Sequence, residues 1–591
     1  MKKKYLRSKE WFDNPKDPGL TALYLEKYLN YGLKRNDLQS GKPIIGIAQS
    51  GSDLSPCNRH FQALSKTIKD GIRDAGGVPM EFPTHPIQET GKRPTAALDR
   101  NLSYLSLVEV LYGYPIDGVI LTTGCDKTTP AALMAAATVN IPSIVLSGGP
   151  MLDGSYKGKK AGSGTIIWEA RRLHAKGEIN YEEFMDMAAA SAPSIGHCNT
   201  MGTASSMNSI AEALGMSLTG GAIIPAPYKE RNSISFKTGQ RIVEMVHENL
   251  TPSKIMTKKA FENAIYVASA IGASSNCPPH LTAIARHMGV DFGIDNWEKL
   301  GHDIPLLVNC QPAGEHLMEG FFKAGGIPAV MQELMKNQKL HKDLITVTGK
   351  TVEENLKEKI NVDENIIKSF KNPLVKNAGF IVMKSNFFSS AVMKTSVISS
   401  EFRKRYLSNP TSPNLFEANA VVFEGPEDYH LRINDKSLKI DENSILMIRG
   451  CGPVGYPGSA EVVNMQPPDK LLKEGINTLP TLGDGRQSGT SESPSILNVS
   501  PESAIGGALL IVRTGDKIKI DLNNSRIDLM ISNEEIENRR KSVKIPKLEN
   551  QTPWQEIARK MVGQLETGAC LETESLYLDI TNTKGMPRHS H

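Results

Sequence analysis

The stretch "PIDGVILTTGCDKTTPAALMAAATVN", residues 115–140, constrains the fold more than any other. Its first part, "PIDGVILTTG", reads as a buried strand, and "PAALMAAATVN" reads as a helix with Pro130 in its opening turn. The same order recurs in "PIIGIAQS" followed by "NRHFQALSKTIKDGIRDAGG", then in "VPMEFP" and in "PSIVLSGGP". Over about residues 40–370 this alternation predicts repeated βαβ units on a largely parallel sheet. In such a sheet the strand-to-helix loops lie at the carboxyl edge, where ligands usually bind. Cys125, Asp126 and Lys127 stand together on one of those loops.

From about residue 385 to 535 the helical periodicity fades. Short strands such as "AVVFEG", "SILMIRG" and "ALLIVRTGDKIKIDL" follow one another between Gly, Pro, Asp and Asn turns, which predicts a β-rich, barrel-like second part. The charged stretch "ENRRKSVKIPKLENQ" reads as a surface connection into a last helix, "TPWQEIARKMVGQL", and "MKNQKLHKDL" reads as a solvated helix face. A chain of 591 residues is too long for one core, so two or more domains are expected. With 68 basic and 64 acidic residues, the near balance gives no support to a nucleic-acid or membrane partner. The basic start "MKKKYLRSKEW" precedes no apolar leader segment, and no apolar run reaches the roughly 18 residues that a membrane span needs. A soluble cytoplasmic protein is the expectation.

Seven cysteines, an odd number spread thinly, argue for free thiols or metal ligands over a disulfide framework. Cys57, in "GSDLSPCNRH", follows one predicted strand, and Cys125 follows the next plausible core strand. Cys198, in "SIGHCNTMGTASSMNSIAEAL", precedes a helix that opens with small residues. All three fall on loops of one architectural type, which lets them meet at one edge of the sheet. Cys277, Cys310, Cys451 and Cys570 lack that setting and read as structural. Three thiolates suit zinc with one open position, or an iron–sulfur cluster with one iron not held by cysteine. An electron carrier would want a fourth protein ligand; an open position suits a Lewis acid that grips a substrate oxygen, or a zinc-dependent hydrolase. Asp126, next to a cysteine, is a natural ligand for a second, harder cation such as Mg²⁺.

The segments "SPCNRH", "TTGCDKTTPA", "LSGGPMLDG", "GHCNTMGTASSMNSIAEALG" and "GDGRQSGTSESPSILNVSPESA" resemble the signature segments of the dihydroxy-acid and sugar-acid dehydratase family. The likeness runs from "LRSKEWFDNP" to "GMPRHSH", and is nearest to the branch acting on pentonates and related aldonates. It implies an α/β fold: an N-terminal α/β/α domain, residues 1–380, carrying an iron–sulfur cluster and most Mg²⁺ ligands. A C-terminal β-barrel-like domain, residues 381–591, would carry the catalytic serine and end in a helix and tail. The resemblance makes Cys57, Cys125 and Cys198 the cluster ligands. The cluster is typically [2Fe–2S] in the sugar-acid branch and [4Fe–4S] in some other members, and three cysteines alone do not decide between them. The Mg²⁺ ligands it implies are Glu89, Asp126, Lys127 and Glu461. An ammonium would repel Mg²⁺, and in the family this lysine is carbamylated by CO₂, which turns it into an oxygen ligand. The resemblance further implies Ser488 as the base, Thr490 as a substrate or proton-transfer contact, His591 as a residue closing the site, and a homodimer or homotetramer.

The implied reaction is dehydration of a 2,3-dihydroxy carboxylate to a 2-keto-3-deoxy acid, with a sugar acid as substrate. The alternative within the family is the branched-chain dihydroxy-acid reaction of amino-acid synthesis. Both substrates share the reacting head, so the tail must discriminate. Gln487, Thr490, Ser491 and Ser493 flank Ser488 and are expected to pair with the further hydroxyls of an aldonate. Branched-chain members more typically have an aromatic residue just before that serine.

Overall fold

The computed structural model describes residues 6–589. Strands β1 (Ile44–Gln49), β2 (Val78–Pro83), β3 (Gly118–Thr123) and β4 (Ser143–Ser147) form a parallel sheet in the order β2-β1-β3-β4. Every residue of β1, β3 and β4 is buried, as strands covered on both faces require. From β1 the chain moves outward to β2, and from β3 it moves the other way to β4. Right-handed crossovers therefore put helix Phe61–Asp74 and helix Thr128–Val139 on opposite faces. Helix Lys229–Glu248 packs beside the first, and helix Leu98–Gly113 beside the second, which completes three layers. The strand order reverses between β1 and β3, and at such a switch point the flanking loops diverge and leave a crevice.

The alternation predicted to about residue 370 is confined to residues 44–147. Beyond a two-stranded hairpin, β5 (Ser155–Tyr156) and β6 (Lys159–Lys160), the chain to Asn355 is built mainly of helices, among them Thr165–Lys176, Thr203–Ala213, Lys258–Ala270 and Cys277–Met288. Apolar runs there, such as Leu306–Val308, make only isolated bridges, Leu306 to Val375 and Val308 to Ile367. The lysine-rich piece after Met335 is likewise only the end of helix Gly326–Lys336 and a following loop, with Leu340 buried.

The second sheet has eight strands: β7 (Phe380–Met383), β8 (Ser390–Lys394), β9 (Leu415–Phe423), β10 (Ser444–Ile448), β11 (Thr481–Gly483), β12 (Ile496–Ser500), β13 (Lys517–Asp521) and β14 (Arg526–Leu529). Their order is β14-β13-β9-β10-β11-β12-β8-β7. The two edges meet where Lys384 N donates to Ser525 O (2.9 Å) and Ile527 N donates to Lys384 O (3.0 Å), so the sheet curls into a nearly closed barrel. Strand β10 shows why both faces are needed. Ile445 and Met447 join one apolar cluster, while Leu446 and Ile448 join another. Of "ALLIVRTGDKIKIDL", only the last third is strand; Ala508–Ile511 is a 3₁₀ turn. Strands β9 to β12 run parallel, so the long loops after β10 and β11 leave from the same edge. Those loops carry Glu461 and Ser488. No helix among the described residues is long and apolar enough to cross a membrane.

Candidate active site

The carboxyl edge of the parallel sheet assembles one wall of a cavity of about 1510 Å³. Cys57 lies in a 3₁₀ turn, Pro56–Asn58, after β1; Gln88 and Glu89 follow β2; Cys125, Asp126 and Lys127 follow β3. The segment after β4 reaches the fourth contributor by a backbone bridge. His197 N donates to Gly149 O (3.0 Å) and Met151 N donates to His197 O (2.8 Å), which sets Cys198 beside the others. All three cysteines line the cavity, but only Cys57 and Cys125 do so from strand-to-helix loops; Cys198 lies between helices Tyr181–Ala190 and Thr203–Ala213 and is brought in by that bridge. Local hydrogen bonds fix the loops. Asn58 Oδ1 accepts from Cys125 N (2.9 Å), in space that exists only because Gly124 has no Cβ. Gln88 Nε2 donates to Cys57 Sγ (3.1 Å), and Glu89 N donates to Cys125 Sγ (3.2 Å). The hydrogen-bonded Cys125 thiol draws Cys57 below the usual thiol range, and the same contact, with burial, pushes Cys125 well above it. Burial, then the neighbouring Cys57, pushes Cys198 up to about 12.

Beside the thiols, Glu89, Asp126 and Glu461 offer carboxylate oxygens that all lie within 4.8 Å of one another, a group able to hold a metal ion. Lys127 sits under them with no solvent exposure. Its Nζ is 2.7 Å from Glu89 Oε2, 3.5 Å from Asp126 Oδ2 and 3.9 Å from Glu461 Oε1. The approach to Glu89 is close but misaligned, so neither Nζ nor Oε2 completes a hydrogen bond. Burial favours the neutral acids, yet at Glu89 the charges of Lys127 and Arg486, with the contacts to Lys127 and Thr95, together outweigh it and leave that carboxyl below its usual range. At Asp126 burial wins and the carboxyl is raised; at Glu461 burial and the Glu89 charge push it up to about 7. Burial lowers Lys127, but Glu89, Asp126 and Glu461 together more than compensate and raise it.

Glu461 comes from the loop after β10 and is aligned by a backbone bridge to Arg486, on the loop after β11. Arg486 Nη1 donates to Glu461 Oε1 (2.9 Å) and to Asn276 Oδ1 (2.9 Å), and Asn276 Nδ2 donates to Glu461 Oε1 (2.6 Å). Ser488, two residues beyond Arg486, is half-buried on the cavity wall. Its N donates to Asn464 Oδ1 (3.3 Å), and its Oγ lies 2.9 Å from Thr490 Oγ1.

Nine of the ten site residues singled out from sequence thus converge: eight line this cavity, and Lys127 lies directly beneath it. His591 lies outside the described residues. Of the four polar residues expected to meet the substrate tail, only Thr490 lines the cavity; Gln487, Ser491 and Ser493 do not. Other residues that sequence reasoning missed also line the cavity: Trp168, Tyr429, His430, Asn464 and Gln466. Asn276 and Arg486 were missed too, although Arg486 stands inside the quoted "GDGRQSG" segment. Cys277, Cys310, Cys451 and Cys570 are buried free thiols away from the cavity.

Comparison with known proteins gives the same grouping. Residues 42–355 match the family described as dihydroxy-acid/6-phosphogluconate dehydratase N-terminal, and residues 365–569 match its C-terminal counterpart. The chain is 60% identical over 586 residues to D-xylonate dehydratase of Caulobacter vibrioides, covering 99% of this chain and 98% of that one. It is 44% identical over 537 residues to L-arabinonate dehydratase of Rhizobium leguminosarum bv. trifolii, covering 90% of each. Dihydroxy-acid dehydratase of Acetivibrio thermocellus is 35% identical over 546 residues, covering 91% of this chain and 96% of that one.

Proposed function

Because the chain belongs to the dihydroxy-acid/6-phosphogluconate dehydratase family, and is therefore a hydro-lyase, we propose that it removes water from a sugar acid, a pentonate such as D-xylonate or L-arabinonate, to give the 2-keto-3-deoxy acid. The observation that carries this reading is the convergence of three thiols, three carboxylates and Ser488 on one cavity. Tyr429, His430, Asn464 and Gln466 on the same cavity supply partners for sugar hydroxyls that a branched-chain acid lacks.

The residues present fit an iron–sulfur cluster and a divalent cation. Cys57, Cys125 and Cys198 would hold the cluster, with [2Fe–2S] the form we favour. Glu89, Asp126, Glu461 and a carbamylated Lys127 would hold Mg²⁺. Three acids against Lys127 and Arg486 leave the buried group one negative charge in excess, and a carbamate on Lys127 would make that three, which suits a divalent cation. A fully buried amine without an aligned hydrogen bond is also one that added oxygens would complete. When bound, these groups would supply Lewis acidity for the departing C3 hydroxyl and positive charge beside the carboxylate and the C2 hydroxyl.

The chain itself supplies the base and its setting. A serine hydroxyl is too weak a base at neutral pH, so Ser488 must be held as its anion to act. Its Oγ takes the C2 proton; the freed electron pair forms the C2–C3 double bond as the C3–O bond breaks, and the leaving hydroxide takes a proton to become water. The enol then loses its O–H proton and gains one at C3, giving the ketone. Thr490 and Asn464 hold Ser488 at the cavity wall. Assembly as a homodimer or homotetramer, and a place in the cytoplasm consistent with seven unpaired cysteines, complete the proposal.

Assay of 2-keto acid formation over a panel of aldonates and 2,3-dihydroxyisovalerate tests the substrate class. The expected kcat/KM for the best aldonate exceeds that for dihydroxyisovalerate by at least about 100-fold, because unpaired polar groups penalise the apolar tail. A preference for dihydroxyisovalerate overturns the sugar-acid reading.

A further inference from the structure

The helix Thr165–Lys176 crosses from the N-terminal half to the loops of the barrel with one side chain per turn. Trp168 Nε1 meets Thr490 Oγ1 at 3.2 Å, Arg172 Nη1 meets Glu492 Oε2 at 3.5 Å, and Lys176 Nζ meets Asn477 Oδ1 at 3.3 Å. Spaced four residues apart, the three lie on one helical face. Two of them are ordinary rim contacts. The first touches the partner of the proposed base, and its chemistry is one-sided: an indole N–H donates and never accepts.

That fixes the direction of the next hydrogen bond. Thr490 Oγ1 accepts from Trp168, so its own proton needs an acceptor, and among its described contacts that acceptor is Ser488 Oγ at 2.9 Å. Were Ser488 the donor in that pair, the Thr490 hydroxyl, only 7% exposed, would keep a buried proton with no partner. Ser488 is the more exposed of the two and can turn its proton to the cavity. Thr490 N also points at Ser488 Oγ, at 3.4 Å. The threonine cannot easily swing away: a Cβ on Gly164, on the turn before the helix, would collide with Thr490 Oγ1, and one on Gly202 would come within 3.1 Å of its methyl. Arg171, stacked 4.7 Å over the Trp168 ring, holds the indole from the cavity side.

We propose that Trp168 is a positioning residue that locks the Thr490 hydroxyl as a donor to Ser488, so that Ser488 Oγ faces two donors from Thr490 and its anionic form is stabilised before substrate arrives. This rests on Ser488 being the base. Donors aimed at developing negative charge and fixed in advance are worth most where water is excluded, and removing one acting directly costs about 100- to 1,000-fold in kcat. An indirect donor should cost less.

The test replaces Trp168 in the metal-loaded enzyme in two ways. Trp168→3-benzothienylalanine keeps the bicyclic shape and the Arg171 stack but deletes the N–H; Trp168→Phe deletes both. Both are expected to lower kcat roughly tenfold near and below neutral pH with KM within about twofold. The acid limb of the kcat profile should move up by about one pH unit, since a less stabilised anion protonates more readily. Much of the loss should return at high pH. Wild-type kinetics in the benzothienyl variant, a loss equal at every pH, or a loss confined to Trp168→Phe would each overturn the proposal. Ser488→Ala separates the two readings. If it retains C2-proton exchange, the base assignment fails; if it abolishes exchange while the Trp168 variants behave as wild type, only the role of Trp168 fails.

Discussion

The two halves of the site are positioned by different means. On the N-terminal side, Cys57, Glu89 and Cys125-Asp126-Lys127 sit on short loops directly after β1, β2 and β3, so the backbone topology of a buried parallel sheet places them. On the C-terminal side, Glu461 and Ser488 ride on long loops between short strands, and buried side chains place them. Arg486 and Asn276 hold Glu461. Asp484 Oδ1 accepts from Cys451 N (2.9 Å), and its Oδ2 accepts from Gly450 N (3.2 Å) and Ser503 N (2.9 Å). Glu502 accepts from Val454 N (2.9 Å) and Gly455 N (2.8 Å), so the Gly-rich segment leading to Glu461 is tied down by two buried acids. The two halves are therefore vulnerable in different ways. In the first half a substitution should remove a ligand and leave the frame standing; in the second it should move the frame.

The largest effect expected is in the first half. Cys125→Ser should abolish iron content, visible colour and turnover together while the melting temperature of the metal-free protein stays near wild type, and Cys310→Ser should spare all of them. Iron and sulfide analysis beside calorimetry checks this; retention of colour in Cys125→Ser breaks the comparison at its strongest point.

Arg486→Gln probes the second half. It strands Glu461 in a buried site, and removing one partner of a buried ion pair costs about 3–5 kcal/mol. Denaturant unfolding should show that loss, and Mg²⁺ affinity should fall as Glu461 shifts. A variant as stable as wild type would mean that the loop, like its N-terminal counterparts, is placed by topology. Asp484→Asn should cost less, about 1–3 kcal/mol, because the amide keeps one acceptor for three backbone donors. Its kcat should fall with little change in iron content. Iron loss in Asp484→Asn would show that the halves are not separable.

This division also explains what the sequence made legible. The βα loops with Cys57 and Cys125 could be read because period and loop position are local properties; Cys198, on a segment between two helices, reaches them only through the tertiary bridge at His197. The resemblance extended that to Glu89, Lys127, Glu461 and Ser488. Asn276 and Trp168 gave no signal, since they reach their partners across 185 and 322 positions, and only tertiary packing brings them there. The expected tail contacts diverge for the same reason: Gln487, Ser491 and Ser493 are adjacent to Ser488 in sequence but do not line the cavity, whereas Tyr429, on the short helix Pro426–Arg432, and Asn464, on the loop after β10, do. The helices after residue 150 were overread as βαβ units because a short buried apolar run has no period that separates strand from coil.

The central claim is that the thiols and the three carboxylates hold the metal groups while Ser488 moves the proton. Solvent exchange of the C2 proton of an aldonate, followed by NMR in D₂O on Ser488→Ala with iron and Mg²⁺ measured in the same sample, tests it most directly. Wild-type metal content with exchange and turnover both abolished is the expected result. Exchange that persists at the wild-type rate, or metal content that collapses with the serine, would contradict it.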